Sequence, residues 1–159
     1  MCRLVGVPQP PEAERLLLVQ RANAWIIPQV RADFPGAIDT IRLLHNRGHT
    51  LYTASGASSS DLEGYLGALG VRDCFTRLYG GDLINTLKAR PAFYELILAD
   101  AGVSPSEALF VDDSPSVITW VSEVGALGIL VDNSGTEQAS GVRTIGSLAE
   151  LPALIDALT

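Results

Sequence analysis

Residues 108–133 read ALFVDDSPSVITWVSEVGALGILVDN. Apolar and β-branched residues run from Ala108 to Val111 and stop at two adjacent carboxylates, Asp112 and Asp113. A short apolar run closed by turn residues predicts a buried strand over 108–113. Pro115 then opens a segment with helical apolar spacing, 115–125, that closes on Gly125. A second apolar strand follows at 126–133. Strand, helix and strand in so short a space make a β-α-β unit, which needs a parallel sheet.

The same alternation extends in both directions. Upstream, GAIDTIRLLHNR (36–47) puts Ile38, Ile41 and Leu44 on one helical stripe, ended by Gly48, and HTLYTAS (49–55) reads as a strand. A helix is expected over 59–69, capped by Ser59 or Ser60 and closed by Gly70. CFTRLYGG (74–81) holds a short strand, and RPAFYELILADAG (90–102) is a helix between Pro91 and Gly102. Downstream, SLAELPALIDALT (147–159) reads as a last helix after a loop, and a further helix is expected near 12–24. The fold expected is α/β, a three-layer, Rossmann-like, doubly wound parallel sheet. No repeat, low-complexity tract or linker divides the 159 residues, so one domain is expected over 1–159.

Composition narrows the function classes. Hydrophobic residues make up 47% and charged residues 18%, which fits a globular chain with a real core. A net charge of −7 and a pI near 4.7 disfavour nucleic acid as partner. No apolar run approaches the ~20 residues of a membrane span. The opening MCRLVGVPQPPEAE is too short in apolar character for a signal peptide, so a cytoplasmic location is expected. Cys2 and Cys74 have no paired spacing, and Cys74 is expected as a buried thiol. His45 and His49 flank the Gly48 turn and are expected at the surface, whereas Trp25 and Trp120 are expected in packing.

In sheets of this kind ligands bind beyond the carboxyl ends of the strands. Ser55 ends one strand, Asp112 and Asp113 end another, and Lys88 stands just before a helix N-terminus. Two neighbouring carboxylates cost energy unless a cation faces them. Each residue alone has a plainer reading: a turn former for Ser55, a solvated charge for Lys88, a helix cap before Pro115 for the acids.

The order of these segments resembles the haloacid dehalogenase superfamily, and within it the phosphatase-like branch. GHTLYTASG (48–56) is similar to its second motif, a strand ending in a hydroxyl, here Ser55 with Gly56 behind it. LKARPAFYELILADAGVSPSEALFVDDSP (87–115) is similar to the third and fourth motifs joined by a helix, with Lys88 as the lysine and Asp112–Asp113 as the acidic pair. FPGAIDTIRLLHNRG (34–48) resembles the return from the cap to the core. The resemblance spans roughly residues 34–133. It implies a phosphate held by Ser55, Gly56 and Lys88, with Ser55 and Lys88 in catalytic roles. It also implies Mg²⁺ on Asp112 and Asp113, with Asp113 the more direct ligand, and a small phosphorylated metabolite as substrate. Haloacid dehalogenation is less expected with a double aspartate at the fourth motif. A phospho-acceptor receiver domain is set aside, because its acidic pair follows the first strand.

Two departures matter. The third motif, often Lys-Pro-Asp-Pro in the family, is here Lys88-Ala89-Arg90-Pro91. The first motif, Asp-x-Asp, supplies the nucleophile and the general acid and base, yet no Asp-x-Asp occurs in this chain. Either CRLVGVP (2–8) is a degenerate first strand with Gly6 and Pro8 at the two aspartate positions, or the first strand and much of the cap are missing. The first reading is preferred, since deleting a central strand would strand two ladders without partners. Residues 1–33 are then a degenerate strand with a reduced or absent cap, and 34–159 the core. Hydrolytic turnover is expected to be little or none, and Mg²⁺ binding weak. The alternative is a pseudoenzyme that binds a phosphorylated ligand or a protein partner.

Overall fold

A computed structural model describes residue 6, residues 8–135 and residues 141–158. Helices α1 (Glu12–Ile26) and α2 (Ala37–Asn46) precede strand β1 (Leu51–Ala54), helix α3 (Ser59–Ala68) and strand β2 (Phe75–Tyr79). Helix α4 (Pro91–Ala101), strand β3 (Leu109–Asp112), helix α5 (Pro115–Glu123) and strand β4 (Leu127–Val131) follow, then strand β5 (Arg143–Ile145) and helix α6 (Leu151–Asp156). The signals that end these helices are local. Pro91 and Pro115 stand in the first turns of α4 and α5, where a missing N–H costs nothing, and Gly102 takes φ +67° to stop α4. Helix α3 is capped one residue earlier than expected: the Ser58 hydroxyl, not that of Ser59 or Ser60, accepts the Asp61 N–H at 3.1 Å.

β1 pairs in parallel with β2, and β3, β4 and β5 form a second parallel ladder in that order. Two apolar clusters bind both ladders into one layered body. On one face Tyr52 and Ala54 of β1, Tyr79 of β2 and Phe110 of β3 share a cluster with Phe93, Tyr94 and Ile97 of α4 and Val117 and Val121 of α5. On the other, Leu51, Leu109, Val111, Ile129 and Ile145 pack with Leu44 of α2 and Leu151 of α6. Helices therefore cover both faces, which is the three-layer, doubly wound arrangement. β3 is half-buried rather than fully buried along its length. The expected strand over 2–8 lies outside the described residues, apart from exposed Gly6 and Pro8.

The Tyr79 hydroxyl donates to Asp100 at 2.6 Å and ties β2 to the far end of α4. Trp120 packs against the first cluster, and His45 and His49 are exposed as expected. Trp25 is not in packing at all: it is 71% exposed on α1. Cys74 is a free thiol at partial rather than full burial. Among the described residues no helix is long and apolar enough to cross a membrane.

Gly128 on β4 lets α5 approach closely, since a Cβ there would stand 2.8 Å from Ile118 Cγ2 and 3.4 Å from Ile118 Cα. Gly128→Ala is expected to destabilise the protein by about 1–3 kcal/mol through overpacking, measurable as a lower urea midpoint with an unchanged slope.

Candidate functional site

Lys88 and Asp112 meet. The Lys88 ammonium donates to Asp112 Oδ2 at 2.5 Å, and the two side chains are only 20% and 12% exposed. The other carboxylate oxygen, Oδ1, accepts the Ser114 N–H at 3.0 Å and shapes the entry to α5. Asp112 thus partners a cation, but the helix cap expected of the acids before Pro115 is not formed: Ser114 is the N-cap of α5, without a side-chain cap bond, and Asp112 shapes the turn ahead of it. Asp113, the next residue, is exposed at the start of that turn, and no ion pair or hydrogen bond to it is found among the described residues.

A continuous run of contacts brings Ser55 to the same rim. Ser55 follows β1; its N–H donates to the Tyr79 carbonyl at 3.0 Å, and its Oγ accepts the Ala57 N–H at 3.1 Å. The Ser55 hydroxyl proton is left for another acceptor. Gly80, just after β2, lies so close to this turn that a Cβ on it would stand 2.3 Å from the Ala57 carbonyl oxygen. The segment that begins there closes on itself, with the Thr86 N–H donating to the Gly81 carbonyl at 2.9 Å and Asn85 in the left-handed region at φ +49°. That closure delivers Leu87 beside Gly81, and Lys88 next to it reaches Asp112. Ser55, Gly56, Lys88 and Asp112 therefore lie along one strand-end edge, where the rule for such sheets puts ligands. The space beside Gly56 is open, so this glycine is not required by close packing.

Two residues at this rim were not singled out from sequence. Asp82 anchors the loop: its carboxylate accepts the Ser59 hydroxyl at 2.6 Å and the Ser59 N–H at 2.8 Å. Those bonds, the hydroxyl's first, hold the Asp82 carboxyl below the ordinary carboxylate range. Stabilisation from a carboxyl lowered in this way is present above its unfolded value and is lost as the pH falls through the lowered folded value. Asp82→Asn is accordingly expected to lower the neutral plateau of a stability-versus-pH curve and to flatten its acid limb, so that the two proteins converge at low pH. The only sequence signal was Gly80-Gly81-Asp82 after a strand, too general to stand alone.

Tyr94 is the second. It is fully buried beside Phe93 and Phe110, and its hydroxyl finds no hydrogen-bond partner among the described residues. Burial, and then the negative charge of Asp112, push this hydroxyl well above the ordinary tyrosine range. An unpaired buried hydroxyl costs roughly 1–3 kcal/mol, so Tyr94→Phe is expected to be neutral or stabilising by about 1 kcal/mol in thermal melts.

The carboxylates do not make a metal cage. Among the described residues no group of three or more His, Cys, Asp or Glu is placed to hold an ion. Asp112 has one oxygen on Lys88 and the other on a backbone N–H, which leaves Asp113 as a lone exposed carboxylate. Mg²⁺ ordinarily takes one or two carboxylates together with phosphate oxygens and water. Asp113 together with the phosphate of a ligand would meet only the lower end of that demand.

Comparison with known proteins agrees with the fold. The model of a haloacid dehalogenase-like hydrolase family matches residues 5–119. A phosphoglycolate phosphatase of Synechococcus elongatus is 28% identical over 129 residues, covering 81% of this chain and 59% of that protein. One of Rhodospirillum rubrum is 27% identical over 116 residues, covering 73% and 47%. The chain thus spans about half the length of these curated relatives. Among solved structures, the L-2-haloacid dehalogenase of Xanthobacter autotrophicus superposes with a TM-score of 0.74 at 19% identity, over 96% of this chain and 70% of that one. The HAD-hydrolase YfnB of Bacillus subtilis, bound to magnesium, gives a TM-score of 0.75 at 17% identity, over 88% and 63%.

Proposed function

The chain belongs to the haloacid dehalogenase-like hydrolases, and on that footing we propose that its strand-end rim holds the phosphate of a small phosphorylated metabolite with little or no turnover. The observation that carries the reading is the shielded Lys88–Asp112 pair on the edge that Ser55 shares. An ammonium has three protons to donate and Asp112 takes one, so two remain for phosphoryl oxygens. The Ser55 hydroxyl donates a further bond, and the open side of Gly56 leaves room for the anion to reach the backbone. Asp112 keeps Lys88 extended towards the rim before any ligand arrives, which lowers the ordering cost of binding.

Hydrolysis asks for more than capture. An attacking group must reach phosphorus in line, and a second group must hand a proton to the leaving oxygen. The family's Asp-x-Asp, which does both, is missing from this sequence. Asp112 is held by Lys88 and a backbone N–H, which blunts it as a nucleophile. A reduced or absent cap over the rim, Mg²⁺ bound weakly through Asp113 and phosphate, and a cytoplasmic protein acting on neither nucleic acid nor membranes complete the proposal.

The two curated relatives are phosphoglycolate phosphatases, so 2-phosphoglycolate is the first ester to try, beside inorganic phosphate and a chromogenic aryl phosphate. Calorimetry is expected to detect phosphate binding that falls about 10–100-fold in Lys88→Ala, the equivalent of one charge-assisted hydrogen bond. Added Mg²⁺ should change that affinity by no more than about twofold, since only one free carboxylate faces the ion. Binding without turnover supports a pseudoenzyme. Turnover with Mg²⁺ that disappears in Asp113→Asn would instead restore a working phosphatase, and absence of any phosphate binding would remove the proposal altogether.

A further inference from the structure

Helix α1 wears its apolar side chains on the outside. None of its 15 residues is buried. Leu17, Leu18 and Trp25 are 53%, 49% and 71% exposed, and Leu16, Val19 and Ile26 are comparably open. The other exposed apolar residues are scattered from Phe34 to Leu158, with only Leu83 and Leu87 near each other, whereas these six fall within one helix. One side of α1 is accounted for: Gln20, Asn23 and Ala24 face Ser60, Asp61 and Gly64 of α3 across a cleft of about 440 Å³. At 3.6 residues per turn, Glu14, Leu18, Arg21 and Trp25 form a stripe turned well away from that side, with Leu17 at its edge, while Leu16, Val19 and Ile26 lie off it.

The charges on that stripe say what covers it. The chain carries −7, yet α1 is neutral, with Glu12 and Glu14 against Arg15 and Arg21. Its outward stripe has an acid in the N-terminal half and a base in the C-terminal half. Laid antiparallel on a copy of itself about a two-fold axis near Leu17 and Leu18, the helix puts Glu14 of each copy level with Arg21 of the other. Leu18 of each copy then comes level with Leu17 of the other, and Trp25 with Pro10. A parallel pairing would set Glu14 against Glu14 and Arg21 against Arg21. A two-fold interface must be self-complementary, and this stripe is so only in the antiparallel sense.

We propose that α1 is a homodimer face, on which a second copy of this chain packs its own α1 antiparallel, with Leu17 and Leu18 either side of the axis and two Glu14–Arg21 pairs flanking them. A helix of this length runs about 22 Å, so the pair covers less than the ~800 Å² per partner of a standard stable interface. The dimer is therefore weak and reversible, and the proposal is independent of what the strand-end rim binds.

Sedimentation velocity of the full chain over a micromolar concentration series tests it. The expected result is a weight-average mass that climbs from 16.9 kDa towards twice that value. Leu18→Glu should stay monomeric across the series, with unchanged circular dichroism. Glu14→Arg and Arg21→Glu should each weaken association about tenfold, because each sets like charges together twice. The two combined should restore it. Residues seven apart do not touch within one helix, so that rescue has no intrachain explanation. A monomer at every concentration overturns the proposal and leaves the face to a different protein or to another part of a longer chain. Association that survives Leu18→Glu, or a double swap no better than the single ones, overturns it equally.

Discussion

Asp112→Asn is expected to destabilise the protein by about 2–4 kcal/mol while tightening phosphate binding about tenfold. The two effects have opposite signs because they read different halves of the same pair. Removing one partner of a fully buried ion pair costs about 3–5 kcal/mol, since the other charge is left unpaired in a poor solvent. Lys88 and Asp112 keep 20% and 12% of their surface, so water returns part of that cost. Asparagine still offers an oxygen to the Ser114 N–H, which isolates the charge from the turn that opens α5. Lys88 would then carry a charge with no local answer, and an arriving phosphate dianion would supply it. Lys88→Met with Asp112→Asn should recover most of the stability and abolish the gain in binding. Urea unfolding and calorimetry with inorganic phosphate across the four proteins of this cycle yield both couplings. If affinity drops in Asp112→Asn, the carboxylate itself is needed by the ligand, and the electrostatic account of the rim is wrong.

How far such a site could be read beforehand depended on the range of the interactions that make it. Helices α4 and α5 announce themselves through Pro91, Gly102 and Pro115, which act within one turn. β3 and β4 are apolar runs bounded by turns, so their existence and parallel pairing were legible, and with them the edge that carries Asp112. β5 was not: Arg143 and Thr144 are exposed and only Ile145 is buried, so three residues carry no period. The Lys88–Asp112 pair spans 24 positions and was reached through family resemblance rather than through any local pattern. Asp82 escaped notice because its partner, Ser59, lies 23 positions away and is set beside it by the close approach of Gly80. Trp25 was misplaced for a physical reason as well. Large aromatics usually end in a core, and a helix whose apolar side faces outward violates that expectation.

Phe93→Ala is expected to cost about 3–5 kcal/mol, the largest effect of any single substitution considered. Phe93 is fully buried in the cluster that spans both ladders, and its ring meets that of Tyr94 edge-on at 5.2 Å. Tyr94 in turn meets Phe110 of β3 edge-on at 5.4 Å, so the aromatic row runs from α4 into the sheet. The lost transfer energy of the ring is joined by a cavity term, because α4 is pinned at one end by Pro91 and at the other by Tyr79 on Asp100 and cannot simply collapse inwards. The consequence reaches the rim. Lys88 stands three residues before Pro91, and a shift of the first turn of α4 moves its ammonium away from Asp112. Phosphate affinity should therefore weaken in Phe93→Ala even though no atom of Phe93 belongs to the site. Phe93→Leu, which refills most of the volume, should restore affinity and much of the stability. A Phe93→Ala protein that loses stability but keeps full affinity would show that Lys88 is positioned by its loop and Asp112 alone, without help from the core.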